Sequence, residues 1–185
     1  LSSDAHFRHG QYGAALDQLE ILQAYYPGLW VVYLRKAAAY YAMMDIPRAT
    51  NNIERYVKKE PGDPQGWYMY AIILEKSLTT SYWLVDRKST YKRPIKFLDK
   101  AIALSGGTHT GALMELGNIH LAVHEKDRAM QYYQLAVQSD TTMGMPHVLI
   151  GEYYLKERDT AAALASFTRA LSLDPHEGRV VEAVN

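Results

Sequence analysis

The apolar positions of the chain come in short helical runs, set in pairs. In LGNIHLAVHEKDRAMQYYQLA, residues 116–136, Leu116, Ile119 and Leu121 belong to one run, and Ala129, Tyr133 and Ala136 to the next. Gly117 interrupts the first run, at a place where alanine would favour the helix by roughly 1 kcal/mol. Reading such runs along the whole chain predicts helices near residues 2–9 (a remnant), 14–25, 30–43, 47–59, 64–82, 90–104, 110–124, 127–139, 145–156, 160–172 and 176–184. Asp45, Asp127 and Asp159 each precede the second run of a pair and are expected to accept its free amide protons as N-caps. Pro47 falls in a first turn, where its missing N–H does no harm, while Pro27, Pro61 and Pro175 close helices. Gly106-Gly107 reads as a helix stop and turn.

The pairs recur at a fixed spacing. Gly117 and Gly151 stand 34 residues apart, as do Ala129 and Ala163, Tyr133 and Phe167, and Ala136 and Ala170. The same offset links Ala15 to Ala49 and Pro27 to Pro61. In this register the chain resembles the tetratricopeptide repeat family. One copy carries Ile150-Gly151, Tyr154, Ala163, Phe167, Ala170 and Asp174-Pro175. Another carries Leu116-Gly117, Ala129, Tyr133 and Ala136, with His120 where the family usually has tyrosine and Thr141 where it has proline. Trp30, Tyr33, Ala37, Tyr40, Ala49, Ile53, Tyr56 and Pro61 make a third; Trp67, Ala71, Leu74, Leu98 and Ala101 a fourth. A first copy keeps only Ala15, Leu19, Leu22 and Pro27 of its second helix.

The resemblance implies an all-α fold, a right-handed superhelical solenoid of antiparallel helix pairs in which each pair buries its apolar face on its neighbours. It implies a single array over 1–185, with repeats at 1–27 (partial), 28–61, 62–106, 107–141 and 142–175 and a capping or truncated helix at 176–185. Gly117 and Gly151 align with Ala37 and Ala71. Small residues there are expected to let the two helices of a pair approach closely, which answers for the propensity lost at Gly117.

One copy is longer than the rest. From Ala49 to its counterpart Pro94 is 45 residues rather than 34, an excess of 11, close to three helical turns. Most of it lies in KSLTTSYWLVDRKSTYK, residues 76–92. Pro94 is tolerated only near a helix start, so the second helix of this copy is expected to begin at Thr90 or Tyr91. Tyr82 and Trp83, with Arg87, Lys88, Lys92 and Arg93 nearby, are expected to fold back on their own stack, to form a second partner-binding surface, or to belong to a disordered loop.

In the family the first helix of each pair lines a concave face. Carried over residue by residue, that face takes Val31, Leu34, Ala38 and Tyr41; Gln65, Tyr68, Ile72 and Glu75; Met114, Asn118 and Leu121; and Val148, Glu152 and Leu155. The resulting groove is largely apolar with a few acceptors, suited to an extended or helical segment with apolar anchors. Members that grip a terminal carboxylate carry Lys, Asn and Arg at such places. Only Asn118 matches, beside Ala38, Ile72 and Glu152, so that clamp is not expected. The bland alternative is that Leu34 and Leu121 simply seal contacts within the array.

Composition narrows the reading without changing it. Twenty basic and twenty acidic residues balance, which argues against a nucleic-acid footprint. No apolar run reaches the length of a membrane span, so no direct membrane insertion is expected of this segment. No signal peptide is expected either; with Leu1 in place of a methionine, the chain reads as a trimmed or processed product. Cysteine is absent, excluding thiol catalysis and cysteine-ligated metals, and the compartment, cytoplasm or periplasm, stays open. His120 and His124 are four apart, a metal-ligand spacing. Glu125 is expected to point elsewhere and His109 is distant, so packing is the expected role of His120 and neither metal nor cofactor is expected. No phosphate loop, HExxH or nucleophile elbow occurs. The expectation is a non-catalytic scaffold for a protein or peptide segment. The alternatives are a self-associating scaffold, an assembly factor or chaperone for secreted or membrane-complex subunits, and a regulatory subunit or module of a larger enzyme.

Overall fold

A computed structural model of the chain describes residues 10–79 and 87–175. Every regular element among them is a helix. They are α1 (Tyr12–Tyr25), α2 (Val31–Ala42), α3 (Ile46–Lys59), α4 (Pro64–Thr79), a four-residue α5 (Arg87–Thr90), α6 (Lys92–Leu104), α7 (Thr110–Ala122), α8 (Lys126–Ser139), α9 (Met145–Lys156) and α10 (Thr160–Leu173). The chain divides into two compact units at Leu104/Ser105. In the first unit α2 pairs with α3 and α4 with α6, α1 packs on α2, and α3 packs on α4. In the second, α7 pairs with α8 and α9 with α10, and α8 packs on α9. The expected remnant helix at 2–9, the terminal helix at 176–184 and the tip of the long copy lie outside the described residues.

Three hairpins share one elbow. After α2 the Asp45 amide donates to the Tyr40 carbonyl at 2.8 Å and the Met44 amide to Tyr41 at 2.9 Å. The same pair of bonds follows α7, from Glu125 to His120 and His124 to Leu121, and follows α9, from Asp159 to Tyr154 and Arg158 to Leu155. This is the Schellman closure, which requires its central residue in the left-handed region. Met44, His124 and Arg158 occupy it, at φ 62°, 63° and 62°, although none is glycine.

The last residue of each closure starts the next helix. Asp45 accepts from the Arg48 amide at 3.1 Å and Asp159 from the Ala162 amide at 3.0 Å, as expected. Asp127 does not cap. Glu125 holds the N-cap position of α8, without a side-chain cap, and Asp127 lies inside the first turn. The structure also corrects the reading of Glu125. The elbow turns its carboxylate back onto His120 Nδ1, 2.9 Å away, rather than off the helical wheel. His109, not an aspartate, caps α7, its Nδ1 accepting from the Ala112 amide at 3.1 Å. In the long copy the second helix starts at Lys92 rather than Thr90 or Tyr91, with Pro94 buried in its first turn.

The recurring small residues sit where two helices of a pair meet. A Cβ on Gly117 would land on the Tyr133 ring, and one on Gly151 on the Phe167 ring. Both rings are almost wholly buried, so neither has room to yield. Close packing across the seam therefore outweighs the helix propensity that each glycine gives up. Ala37 and Ala71, at the same register, are also buried. Between hairpins of the first unit a different fit occurs. Tyr56 on α3 stands where other copies have Ala101, Ala136 or Ala170, and Gly66 on α4 makes room for it. A Cβ there would lie 2.7 Å from Tyr56 Cε1.

Candidate functional site

Within the first unit the face expected to bind is built by α2 and α4, which touch. Leu34 and Tyr41 on α2 lie against the core of Ala37, Ala49 and Ile53 and stay half-buried. Ala38 beside them, and Tyr68, Ile72 and Glu75 on α4, are half-buried too, while Val31 and Gln65 are exposed. Each α4 neighbour is held by packing that the site does not use. Tyr70 stacks on Phe97 of α6 at 4.5 Å and donates to Glu54 Oε1 of α3 at 2.6 Å. Burial and that carboxylate push the Tyr70 phenol up to about 12. Trp67 donates its indole N–H to the Pro61 carbonyl at 2.9 Å, under Lys100 Nζ at 3.6 Å from the ring centre.

In the second unit Met114 and Leu121 on α7 pack half-buried against Ala129, Tyr133 and Leu149. Asn118 lies between them. Its Oδ1 accepts from the Tyr133 hydroxyl at 2.9 Å and its Nδ2 donates to Glu115 at 3.2 Å. Glu152 on α9 is half-buried and Leu155 exposed. Val148 is a correction. It is fully buried with Ala163, Phe167 and Ala170 and lines no surface.

Asn118 and Leu121 open on a cavity of about 450 Å³, which also takes in Ala122, His124, Lys126, Lys156 and Glu157. Sequence reasoning named the first two and missed the charged rim. The rim comes from the elbow and from the end of α9, places that a helical-face template leaves out. Glu152 is not part of it.

A second feature also went unnoticed. Tyr25 is 77% exposed and Tyr26 62%, with Ile21 and Leu29 open beside them. Tyr25, Tyr26 and Leu29 line a shallow depression of about 570 Å³. One repeat later the same places hold Lys59, Glu60 and Asp63. The 34-residue offset contained this signal.

Of the other expected surface, Tyr82 and Trp83 lie outside the described residues. Arg87 opens α5, and Lys88 is exposed. Among the described residues no group of three or more His, Cys, Asp or Glu side chains is placed to hold a metal ion. His120 is buried, stacked on Tyr132 at 5.2 Å and paired with Glu125, while His124 leaves the helix at the elbow.

The last hairpin, α9 and α10, matches a tetratricopeptide repeat model over residues 147–177. The hairpins have the tetratricopeptide-repeat fold. A second family model, YfiO, described as outer membrane lipoprotein, matches residues 2–96, just over half of the chain, and the chain belongs to that family. Solved structures agree on the fold. A thermophilic TPR protein of Thermus thermophilus is 17% identical with a TM-score of 0.85, over 98% of this chain and 92% of that one. MamA is 18% identical with a TM-score of 0.65, over 96% of each chain. YrrB, described as a TPR protein with an unusual peptide-binding site, is 15% identical with a TM-score of 0.60, over 98% of this chain and 87% of that one. No curated protein matches the chain. Proteins of the tetratricopeptide fold mediate protein–protein interaction and are typically non-catalytic scaffolds. Among the described residues no helix is long and apolar enough to cross a membrane.

Proposed function

We propose that this repeat protein holds a protein or peptide segment on the first-helix faces of its hairpins. In this reading the repeats run 28–61, 62–106, 107–141 and 142–175 after a partial first copy. The observation that carries the reading is the set Leu34, Tyr41, Tyr68 and Ile72 on the adjoining helices α2 and α4. These apolar and aromatic side chains remain half open although a packed core lies behind them. Glu75 supplies an acceptor at the end of the row, and Met114, Asn118 and Glu152 offer the same kind of face within the second unit. Binding buries a few apolar anchors on helices already fixed by their neighbours, so little ordering entropy opposes it.

Peptides selected by display against the whole chain test this. They are expected to carry at least two apolar side chains and to bind Tyr68→Ala about tenfold more weakly. Equal affinity for wild type and Tyr68→Ala removes the α2–α4 face from the reading.

Self-association is the second reading, favoured by the open Tyr25, Tyr26 and Leu29. Light scattering over a concentration series, on the same samples, separates the two, since a mass that stays monomeric removes it. Of the compartments left open by the sequence, the YfiO match favours the periplasm.

A further inference from the structure

The cavity in the second unit has a chemistry of its own. Its floor is Leu121 and Ala122, near the end of α7. Its rim carries His124 from the elbow, Lys126 from the start of α8 and Lys156 from the end of α9. One carboxylate lines it, Glu157, and that group is taken: Lys126 Nζ sits 2.5 Å from Glu157 Oε1. The ion pair neutralises itself and ties the two hairpins together across the mouth. Lys156 is left over. It is exposed, and its ammonium makes no hydrogen bond or ion pair with any described residue. His124 is exposed as well, and its backbone conformation turns it out of the helix. An aliphatic floor under an uncompensated ammonium is complementary to an aliphatic side chain followed by an anion.

We propose that this cavity binds an acidic side chain, aspartate or glutamate, carried next to an aliphatic residue on a partner protein. The carboxylate pairs with Lys156, and the aliphatic group covers Leu121 and Ala122. A side-chain carboxylate fits better than a chain terminus. A terminal carboxylate would need several donors, and beside Lys156 the Asn118 amide, with one N–H on Glu115 and its oxygen accepting from Tyr133, offers only one more N–H. The assignment rests on the partner-binding reading and adds the chemistry of the partner.

Three small probes test it on the whole chain, followed by amide chemical shifts at Asn118, Leu121 and Lys156. They are acetyl-Leu-Glu-amide, its neutral counterpart acetyl-Leu-Gln-amide, and acetyl-Leu-Gln with a free terminal carboxylate. The first is expected to saturate about three- to fivefold more tightly than the second, a preference lost in Lys156→Gln and weakened by salt. Lys156 is at the surface, so this variant keeps the fold. Equal saturation by the first two probes overturns the carboxylate assignment and leaves the groove reading standing. Tighter binding of the third than the first overturns the choice of a side chain. No shift at these residues with any probe overturns the cavity as a binding site, while the display experiment on α2 and α4 still decides the groove.

Discussion

Met44, His124 and Arg158 hold a backbone conformation that costs an L-residue roughly 1–2 kcal/mol. The hydrogen bonds of the elbow impose it, and the Met44 side chain is 56% exposed. Glycine at this place would lose the strain but adds freedom to the unfolded chain. The strain outweighs that added freedom. Met44→Gly is therefore expected to stabilise the protein by about 0.5–1 kcal/mol, read as a raised urea midpoint at unchanged slope. A lowered midpoint would show that the Met44 side chain is held by something. None of the three was legible in the sequence, because a residue-type template places glycine at such turns and these are methionine, histidine and arginine. Gly117 was legible, because its cost to the helix was visible and demanded a reason.

At the scale of elements, large and small residues exchange places across a seam. Tyr56 takes the volume that Gly66 gives up, and its hydroxyl donates to Asp63 Oδ2 at 2.5 Å. Adding one methyl at Gly66 is expected to cost about 1–3 kcal/mol through overpacking. Tyr56→Ala leaves a cavity and costs about 3–5 kcal/mol. If the two positions share one volume, Gly66→Ala is nearly free in the Tyr56→Ala background. A double-mutant cycle by chemical denaturation measures that coupling, and additive losses would contradict it.

The first and second helices of a pair are also joined by cations over rings. Arg55 lies 5.9 Å from the Tyr33 ring centre, and Lys100 lies over Trp67. In the last hairpin the same places hold Arg169 and His147, and a pairing that favours an aromatic ring opposes a proton on imidazole. The helices themselves were readable from periodicity to within a residue or two at most ends. What the period could not carry was the direction of Glu125, because an elbow outside the helix decides where that side chain goes.

For the whole molecule, the two units respond to opposite ends of the pH scale. In the first, Tyr70 has its phenol raised to about 12 by burial and the Glu54 carboxylate. Tyr56 is raised as well, by burial and then by its bond to Asp63. The unfolded chain ionises these tyrosines first, near pH 10, so their contribution is whole below that pH and is lost as pH rises toward the folded values. In the second unit burial, then Arg169, holds His147 below the usual imidazole range. The unfolded chain takes up the proton first, so this contribution is whole above pH 6.5 and is lost as pH falls.

Urea midpoints across the pH scale are expected to fall at both ends. Tyr70→Phe should flatten only the alkaline side and His147→Gln only the acid side; an unchanged acid limb in His147→Gln would assign that limb elsewhere. The fold as a whole was the most legible level, because a period of 34 repeats itself within one chain. The site was the least legible. A template of helix faces names Leu34, Tyr68 and Asn118 as candidates, yet the charges on the rim of the cavity in the second unit stand on residues between faces.

Asp45 ends one Schellman closure and caps the following helix, and Asp159 does the same. The elbow thus contains no spare link. A single residue inserted or deleted there would swing the following helix by about 100° about its own axis. In the last hairpin that would carry Phe167 and Ala163 off the seam, although every side chain was still present. Chain length is fixed at these corners more tightly than residue identity is, which is how methionine, histidine and arginine can stand in for one another at the same bend.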